Sequence, residues 1–146
     1  MDNETRVHAF FDAYARRFNE ALLGKPVDVR GVTDAFADYF VEASPAGVRG
    51  GRNGLLFRLR VPLGFRHYRK IGTTAMRIAK VTVTPLDDLH LMARVRWDSR
   101  YRRKDGVIER IEFENLYFLQ MCNGEPRIFA YVTGDEAALL REHGIG

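Results

Sequence analysis

The sequence predicts an α+β fold, with helices in the first part of the chain and long antiparallel strands in the second. Two patterns indicate this class. Up to about residue 40, apolar side chains recur at steps of three and four, which is the period of a helix with one buried face. From Thr74 onward the period is two, which is typical of half-buried strands.

Two helices and a short strand are expected at the start of the chain. The first helix has an apolar stripe and ends near Gly24 and Pro26, which disfavour helical backbone. Its stripe consists of Val7, Phe10, Phe11, Tyr14, Phe18, Ala21 and Leu22. A second helix is expected over about 29–36, and residues 39–43 are apolar enough for a short strand.

The segment before the sheet is irregular in composition. Residues 47–54 are rich in glycine and arginine and are predicted to form a loop. A third, short helix is expected over 55–59, ended by Pro62 and Gly64. Three long strands then lead to a terminal helix over 134–143, with acidic residues near its N-terminus, where the helix dipole favours them.

The first hairpin loop of the meander, residues 91–132, fixes the register of its strands. A two-residue Asp105-Gly106 turn would mix apolar and charged side chains on both faces. A three-residue loop instead pairs Arg103 with Val107 and gives Gly106 the left-handed conformation. Because a one-residue slip moves every side chain to the other face, the three-residue loop is predicted.

The Asn123-Gly124 turn joins the last two strands and completes two different faces. The inner face is apolar, with the amide of Asn115 among its side chains, and is expected to line a cavity. Its members are Leu91, Ala93, Val95, Trp97, Ile111, Phe113, Asn115, Tyr117, Leu119, Ile128, Ala130 and Val132. The outer face is charged at one end, with Arg96, Asp98, Glu112 and Glu114.

The other end of the outer face is aromatic. Its four clustered side chains are Leu116, Phe118, Phe129 and Tyr131. Burying each of them contributes about 1.5–3 kcal/mol, and such patches usually mark interfaces. The sequence therefore predicts a homodimer formed through this face. The alternative is that the terminal helix covers the patch within one chain.

Composition restricts the class of protein. A chain of 146 residues is expected to form a single domain, 1–146. The net charge of +4 is only mildly basic, and the sheet arginines have acidic neighbours, so no nucleic-acid partner is predicted. Cys122 is the only cysteine, which excludes an intrachain disulfide. The polar, acidic start and the lack of a long apolar run favour a soluble cytoplasmic protein without a membrane partner.

Two segments, together with the order of the elements, carry a resemblance to a known superfamily. They are residues 36–47, FADYFVEASPAG, and residues 123–128, NGEPRI. The chain resembles, over almost its whole length, the nuclear transport factor 2-like superfamily, which includes SnoaL-like polyketide cyclases, ketosteroid isomerase and scytalone dehydratase. The resemblance implies N-terminal helices packed on a strongly curved antiparallel sheet, a cone with an internal cavity. It also implies dimers through the outer face of the sheet.

Ketosteroid isomerase provides a residue-by-residue template for the cavity. In that family the base is an Asp before a proline at the end of the first strand, and Ser44 stands at this place, before Pro45. A serine cannot serve as that base. Tyr14 matches an oxyanion donor on the first helix, and Asn115 falls where the family has a protonated Asp. The resemblance thus implies a cavity with hydrogen-bond donors but without the base.

Tyr14, Trp97, Asn115 and Tyr117 are accordingly the predicted ligand-binding residues. Each also has a purely structural interpretation. Tyr14 can be a core tyrosine with a satisfied hydroxyl, and Trp97 can be a cavity wall or plain core. Asn115 on an apolar face needs a hydrogen-bond partner, which can be a ligand, Tyr14, water or the backbone.

Further candidates lie before the meander. His67 could act as a general acid or base, and its cationic neighbours favour its neutral form. Five basic residues could ring the mouth of the cavity and attract an anionic ligand, although a solvated surface is the preferred interpretation. These five are Arg58, Arg60, Arg66, Arg69 and Lys70. The sequence has no metal-ligand spacing and no nucleotide-binding loop, so no metal or cofactor is predicted.

Three functions remain open at this point. The first is a SnoaL-like pocket protein that binds an apolar, carbonyl-bearing small molecule, with or without turnover. The second is a cyclase, dehydratase or isomerase, which would place a carboxylate or histidine within hydrogen-bond reach of Asn115 or Tyr14. The third is a dimeric interaction module, whose cavity would be filled by side chains.

Overall fold

The computed structural model describes residues 1–145, which form four helices and six strands. The elements in chain order are α1 (Asn3–Leu22), α2 (Val29–Asp34), β1 (Phe36–Ser44), β2 (Gly47–Arg52), α3 (Leu55–Lys70), β3 (Thr73–Pro85), β4 (His90–Arg102), β5 (Ile108–Cys122), β6 (Glu125–Val132) and α4 (Glu136–Glu142). The predicted α+β class is confirmed. Within these residues, no helix is both long enough and apolar enough to span a bilayer.

All six strands belong to one curved, unclosed sheet with the order β2-β1-β6-β5-β4-β3. Four strands rather than three follow Thr73, and neighbours among them are antiparallel. The pair β1–β6 is parallel, so the sheet is mixed instead of purely antiparallel. A parallel neighbour requires a long crossover, and the elements between the two strands in the chain are β2, α3, β3, β4 and β5.

The β4–β5 register agrees with the predicted three-residue loop. The backbone N–H of Arg103 donates to the carbonyl of Val107 at 2.8 Å. Gly106 has a φ of 86°, the left-handed conformation that this loop needs. Trp97 lies opposite Phe113, so the apolar side chains of both strands share the concave face.

The β5–β6 register agrees with the prediction only near its turn. Leu119 lies opposite Ile128 as expected, but a bulge at Phe129 then shifts the pairing by one residue. Tyr117 therefore faces Tyr131, and the prediction of Tyr131 on the outer face is wrong. Ala130 moves to the outer face for the same reason. An extra residue in one strand reverses the side-chain alternation beyond it.

Val132 moves to the outer face together with Ala130, because it lies beyond the bulge and opposite Leu116. The expected inner position of Val132 is therefore also wrong. The outer apolar patch gains these two side chains in place of one tyrosine.

The segment predicted as a loop contains the edge strand β2. Its residues Gly47 to Arg52 pair antiparallel with β1, from Ser44 back to Tyr39. Glycine has low strand propensity, and pairing with a neighbouring strand overrides it. The strand brings two arginines to one edge of the fold.

The third helix does not end at Pro62 as predicted but continues to Lys70. A proline inside a helix removes one backbone hydrogen bond. Packing stabilises the helix nevertheless, because Val61 and Phe65 are buried against Ala21 of α1. Tertiary burial thus outweighs the local breaking signal.

The main core lies between α1 and the concave face. Val7 and Phe11 of α1 are fully buried in the same cluster as Val95, Leu119 and Ile128. The terminal helix α4 also lies on this side of the sheet. Its Leu139 and Leu140 pack on the inner-face residue Ile111. The alternative that this helix covers the outer aromatic patch is therefore wrong.

Candidate functional site

A cavity of about 990 Å³ lies between the concave face of the sheet, α1 and α3. This volume is within the range of sites for small organic molecules. The four predicted site residues Tyr14, Trp97, Asn115 and Tyr117 all line it. The curved sheet brings them together, because Trp97, Asn115 and Tyr117 have inner-face positions on neighbouring strands.

The hydroxyl of Tyr117 is the centre of a hydrogen-bond network. It accepts from Nε1 of Trp97 and from Nδ2 of Asn115, both at 3.2 Å. Burial raises the pKa of Tyr117, so the phenol stays protonated. With both lone pairs occupied by these donors, its own proton can be donated elsewhere. Within residues 1–145 that proton has no acceptor, and the carbonyl oxygen of the Asn115 amide has no donor.

Tyr14 adds a second phenol to the same region. Its ring centroid lies 6.1 Å from that of Trp97 and 6.3 Å from that of Tyr117. Burial holds the pKa of Tyr14 well above its ordinary value. No described residue hydrogen-bonds its hydroxyl. Tyr14 therefore adds a second protonated phenol to the cavity lining.

Two carboxylates, which the sequence analysis missed, also line the cavity. Glu42 on β1 accepts a hydrogen bond from the hydroxyl of Tyr131 at 3.1 Å, and Glu136 on α4 accepts one from Tyr68 at 3.3 Å. Desolvation raises the pKa of Glu136, and the charge of Glu42 adds to this effect. The alternation of β1 could have indicated Glu42, because it is two residues after the inward-facing Phe40.

The other two candidates lie outside the cavity lining. Ser44 accepts a hydrogen bond from the backbone N–H of Ala46 at 3.2 Å and belongs to the β1–β2 turn. His67 is exposed on α3, whereas the next residue, Tyr68, lines the cavity. The structure therefore does not place His67 where it would reach a ligand held by Tyr117. Among residues 1–145, no group of acidic, His or Cys side chains is arranged to hold a metal ion.

Four arginines belong to the cavity lining. Of the five basic residues that could ring the mouth of the cavity, only Arg60 is part of the lining, which also includes Arg17, Arg49 and Arg52. In the part of the chain described, none of these four forms an ion pair with a carboxylate. The four guanidinium groups outnumber the two lining carboxylates, Glu42 and Glu136, so the lining has an excess of positive charge.

Helices packed inside a curved, unclosed mixed sheet, with a cavity between them, define the NTF2-like class of proteins. Residues 3–136 match the sequence profile of the family described as "NTF2-like protein (DUF6841)", and the chain belongs to this family. The predicted superfamily is thereby confirmed. No protein with curated annotation matches the sequence significantly.

Solved structures of the same fold come from several bacteria. A ketosteroid isomerase-like protein from Erwinia carotovora atroseptica SCRI1043 is 17% identical, with a TM-score of 0.64 over 92% of this chain and 97% of the other. An NTF2-like protein with a cystatin-like fold from Novosphingobium aromaticivorans is 13% identical, with a TM-score of 0.69 over 96% and 87%. An NTF-2 like protein of unknown function from Shewanella oneidensis MR-1 is 12% identical, with a TM-score of 0.65 over 90% and 98%. At these identities the likeness shows the fold alone.

Proposed function

We propose that this protein is a small-molecule pocket protein that binds an apolar ligand through a carbonyl group. The observation that carries this function is the hydroxyl of Tyr117, which receives two hydrogen bonds and keeps its own proton for the cavity. The Tyr14 hydroxyl beside it supplies a second donor. A ketone or similar acceptor placed between them would satisfy both phenols.

The remaining walls suit an apolar ligand body. Phenyl rings line the cavity from several elements, among them Phe36 and Phe40 on β1, Phe57 on α3 and Phe113 on β5. Such rings contribute large apolar contact areas, and the few polar groups fix the ligand's orientation. Trp97 and Asn115 hold the Tyr117 hydroxyl in place and thereby pre-organise the donor.

Two matched probes test this function. Calorimetry with 2-acetylnaphthalene and with 2-ethylnaphthalene, which lacks the carbonyl, should show tighter binding of the ketone. Tyr117→Phe should weaken ketone binding about 5- to 10-fold, because one hydrogen bond is lost, and leave the hydrocarbon unaffected. Tyr101→Phe is the control, since this buried tyrosine lies outside the cavity lining. Equal affinity for both probes, or no binding of either, would contradict the proposal.

A second candidate is a general acid–base enzyme with Glu42 as base. The observation that favours it is the position of Tyr131, which binds Glu42 and stacks on Tyr117 at 6.2 Å between ring centroids. A carboxylate thus lies on the cavity wall and is linked to the Tyr117 ring through Tyr131, but among the described residues it hydrogen-bonds neither Asn115 nor Tyr14. It could remove a proton from the carbon next to the carbonyl, and the phenols would stabilise the enolate oxygen.

Deuterium exchange distinguishes this enzyme from a binding protein. In D₂O, an enzyme of this kind accelerates exchange of the methyl protons of 2-acetylnaphthalene, which NMR measures directly. Glu42→Gln should abolish the acceleration, and Glu142→Gln, an exposed acid on α4, should not. Wild-type protein that binds the ketone without accelerating exchange supports the pocket protein and contradicts the enzyme.

A homodimer through the outer face of the sheet is part of the same proposal. Leu116 and Phe118 of β5 and Phe129 of β6 lie on this face, and the phenyl rings of Phe118 and Phe129 are 6.2 Å apart. Val41 of β1 extends the apolar surface, because it pairs with Ala130. The patch therefore spans three neighbouring strands even though Tyr131 faces the cavity.

A further inference from the structure

Helix α3 presents a stripe of leucines to solvent. Leu55 and Leu56 are each 70% exposed, and Leu59 and Leu63 are each 59% exposed. Leu55, Leu59 and Leu63 follow one another at four-residue steps and so form one line along the helix. The opposite side of the same helix is buried against α1 through Val61 and Phe65. The helix is thus apolar on two sides, and the described residues cover only one of them.

A stripe of this kind is different from scattered surface leucines. Single exposed apolar residues are normal in soluble proteins and require no explanation. Four large apolar side chains on one helix form a continuous surface, and such surfaces mark contacts with another molecule or a membrane.

The charge of α3 indicates what kind of molecule covers the stripe. Its sixteen residues include no Asp or Glu. Its basic residues are Arg58, Arg60, Arg66, Arg69 and Lys70. At 100° per residue, Arg66 and Lys70 lie in the same angular sector as Leu59 and Leu63. A basic face that includes exposed leucines is typical of helices that lie on anionic membranes.

We propose that α3 docks the protein on an anionic lipid surface, with the leucines inserted among the lipid tails and the basic residues on the phosphates. Arginine and lysine have long apolar stems, so their charged groups can reach the headgroups while the leucines insert. A membrane of anionic lipids supplies both the apolar depth and the negative charge. The sequence alone favours no membrane partner because it has no spanning segment, but an interfacial helix requires none.

A second copy of the chain is a poorer occupant. Two α3 helices in contact would bring five positive charges against five, with no acid on either helix to neutralise them. Nucleic acid would match the charge but would leave the leucine stripe without an apolar partner. An anionic bilayer satisfies both features.

The position of the surface connects it to the cavity. Leu55, Leu56 and Arg60 belong to both the exposed surface and the cavity lining, as does Arg52 at the end of β2. The docking surface therefore adjoins the cavity. With α3 on a membrane, the part of the cavity that Leu55 and Leu56 line lies next to the lipid, where apolar compounds concentrate.

Vesicle sedimentation tests the proposal without any cavity ligand. Full-length protein is mixed with phosphatidylcholine vesicles that either contain or lack phosphatidylserine, at low and at high salt. We expect binding to the anionic vesicles only, weakened by salt because the charges are screened. The double variant Arg66→Gln/Lys70→Gln should bind about 20- to 30-fold more weakly, since each cation near the surface contributes about fivefold.

The apolar part of the surface needs its own variant. Leu59→Gln/Leu63→Gln should weaken vesicle binding by about tenfold or more, because two inserted side chains are lost. Leu86→Gln/Leu89→Gln is the matched control, since these leucines are 55% and 54% exposed between β3 and β4. Lys80→Gln/Lys104→Gln is the control for charge. Circular dichroism and thermal unfolding check that every variant is folded.

Three results would overturn the proposal. The first is no binding to anionic vesicles at either salt concentration. The second is binding that the α3 variants and the controls reduce equally, which would indicate general charge attraction. The third is a wild-type oligomer that Leu59→Gln/Leu63→Gln converts to a monomer, which would assign the stripe to a second copy of the chain.

Discussion

The hydroxyl of Tyr117 links this residue to Trp97 and Asn115. Removing the hydroxyl tests, at the scale of single residues, how much these hydrogen bonds stabilise the fold. Tyr117→Phe keeps the ring but leaves the Trp97 and Asn115 donors without their acceptor at 3.2 Å. A buried donor without a partner costs about 1–3 kcal/mol. We therefore expect the free energy of unfolding to fall by about 1–3 kcal/mol, as measured by urea titration.

A double-mutant cycle isolates the shared hydrogen bond from other effects. Asn115→Leu removes one of the two donors and retains an apolar side chain of similar size. If the amide acts through the Tyr117 hydroxyl, the double variant loses less stability than the sum of the single variants. Strictly additive losses would show that the two side chains do not act as a unit.

The site residues differ in how far the sequence could predict them. Tyr14 and Asn115 were predictable because helical period and strand register both direct them inward. Glu42 follows the same alternation along β1, but the family template places the base at Ser44, two residues further along the strand. Glu136 was not predictable in this way. Its place at the cavity depends on where the terminal helix packs, which no local pattern encodes.

Gly64 in α3 provides a test at the scale of one helix. A glycine inside a helix costs about 0.5–1 kcal/mol relative to alanine. A Cβ at this position would meet no atom within 4 Å, and the residue lines the cavity. We expect Gly64→Ala to raise the free energy of unfolding by about 0.5–1 kcal/mol in urea titration. The added methyl group also narrows the site.

Gly72 is the contrasting control for that substitution. Its φ of 94° is in the left-handed region, and a Cβ there would lie 2.3 Å from the carbonyl oxygen of Arg102. Gly72→Ala should therefore destabilise the fold, by more than Gly64→Ala stabilises it. If both substitutions lowered the free energy of unfolding equally, Gly64 would have no room for a Cβ atom, in contradiction to the structure.

Asp98 gives a pH-dependent test of the sheet's charged outer face. Its carboxylate pairs with Arg100 and with Arg110, at 3.2 Å each, and these partners lower the pKa of Asp98. A lowered folded-state pKa contributes stability above the unfolded pKa, and this stability is lost as pH falls through the folded value. Asp98→Asn should thus cost about 1 kcal/mol or less at neutral pH. Thermal unfolding should show the difference from wild type disappearing in acid.

Elements were predictable wherever local pattern and tertiary packing agree. The β4–β5 hairpin was correct because a wrong register would bury charges such as Glu112 and Glu114. Strand β2 is not predictable from local pattern, because its glycines have low strand propensity. Helix α3 was cut short at Pro62, since the burial of Val61 and Phe65 against α1 depends on residues far away in the chain. In both failures a distant partner supplied the stabilisation.

The assembly of two chains is the test at the scale of the whole molecule. Phe118→Asp places a charge in the outer apolar patch, which stays uncovered because α4 packs on the concave side. We expect sedimentation velocity to show a dimer for wild type and a monomer for this variant, because an unpaired buried charge strongly disfavours the interface.

Leu89→Asp is the matched control for the dimer, as Leu89 is exposed in the turn between β3 and β4. It should sediment like wild type. A wild-type protein that is monomeric at all concentrations would contradict the dimer, as would a dimer unaffected by Phe118→Asp.

Because of the bulge at Phe129, the number of residues in β6 determines which of its side chains face the cavity and which face outward. With the extra residue, Tyr131 faces inward and binds Glu42, while Ala130 faces outward. Loss of a single codon there would restore simple alternation and exchange the two sides beyond it. Deletion of one residue could therefore move the Tyr131 phenol from the cavity to the surface. Insertions and deletions in β6, and not only substitutions, can thus change which side chains line the cavity.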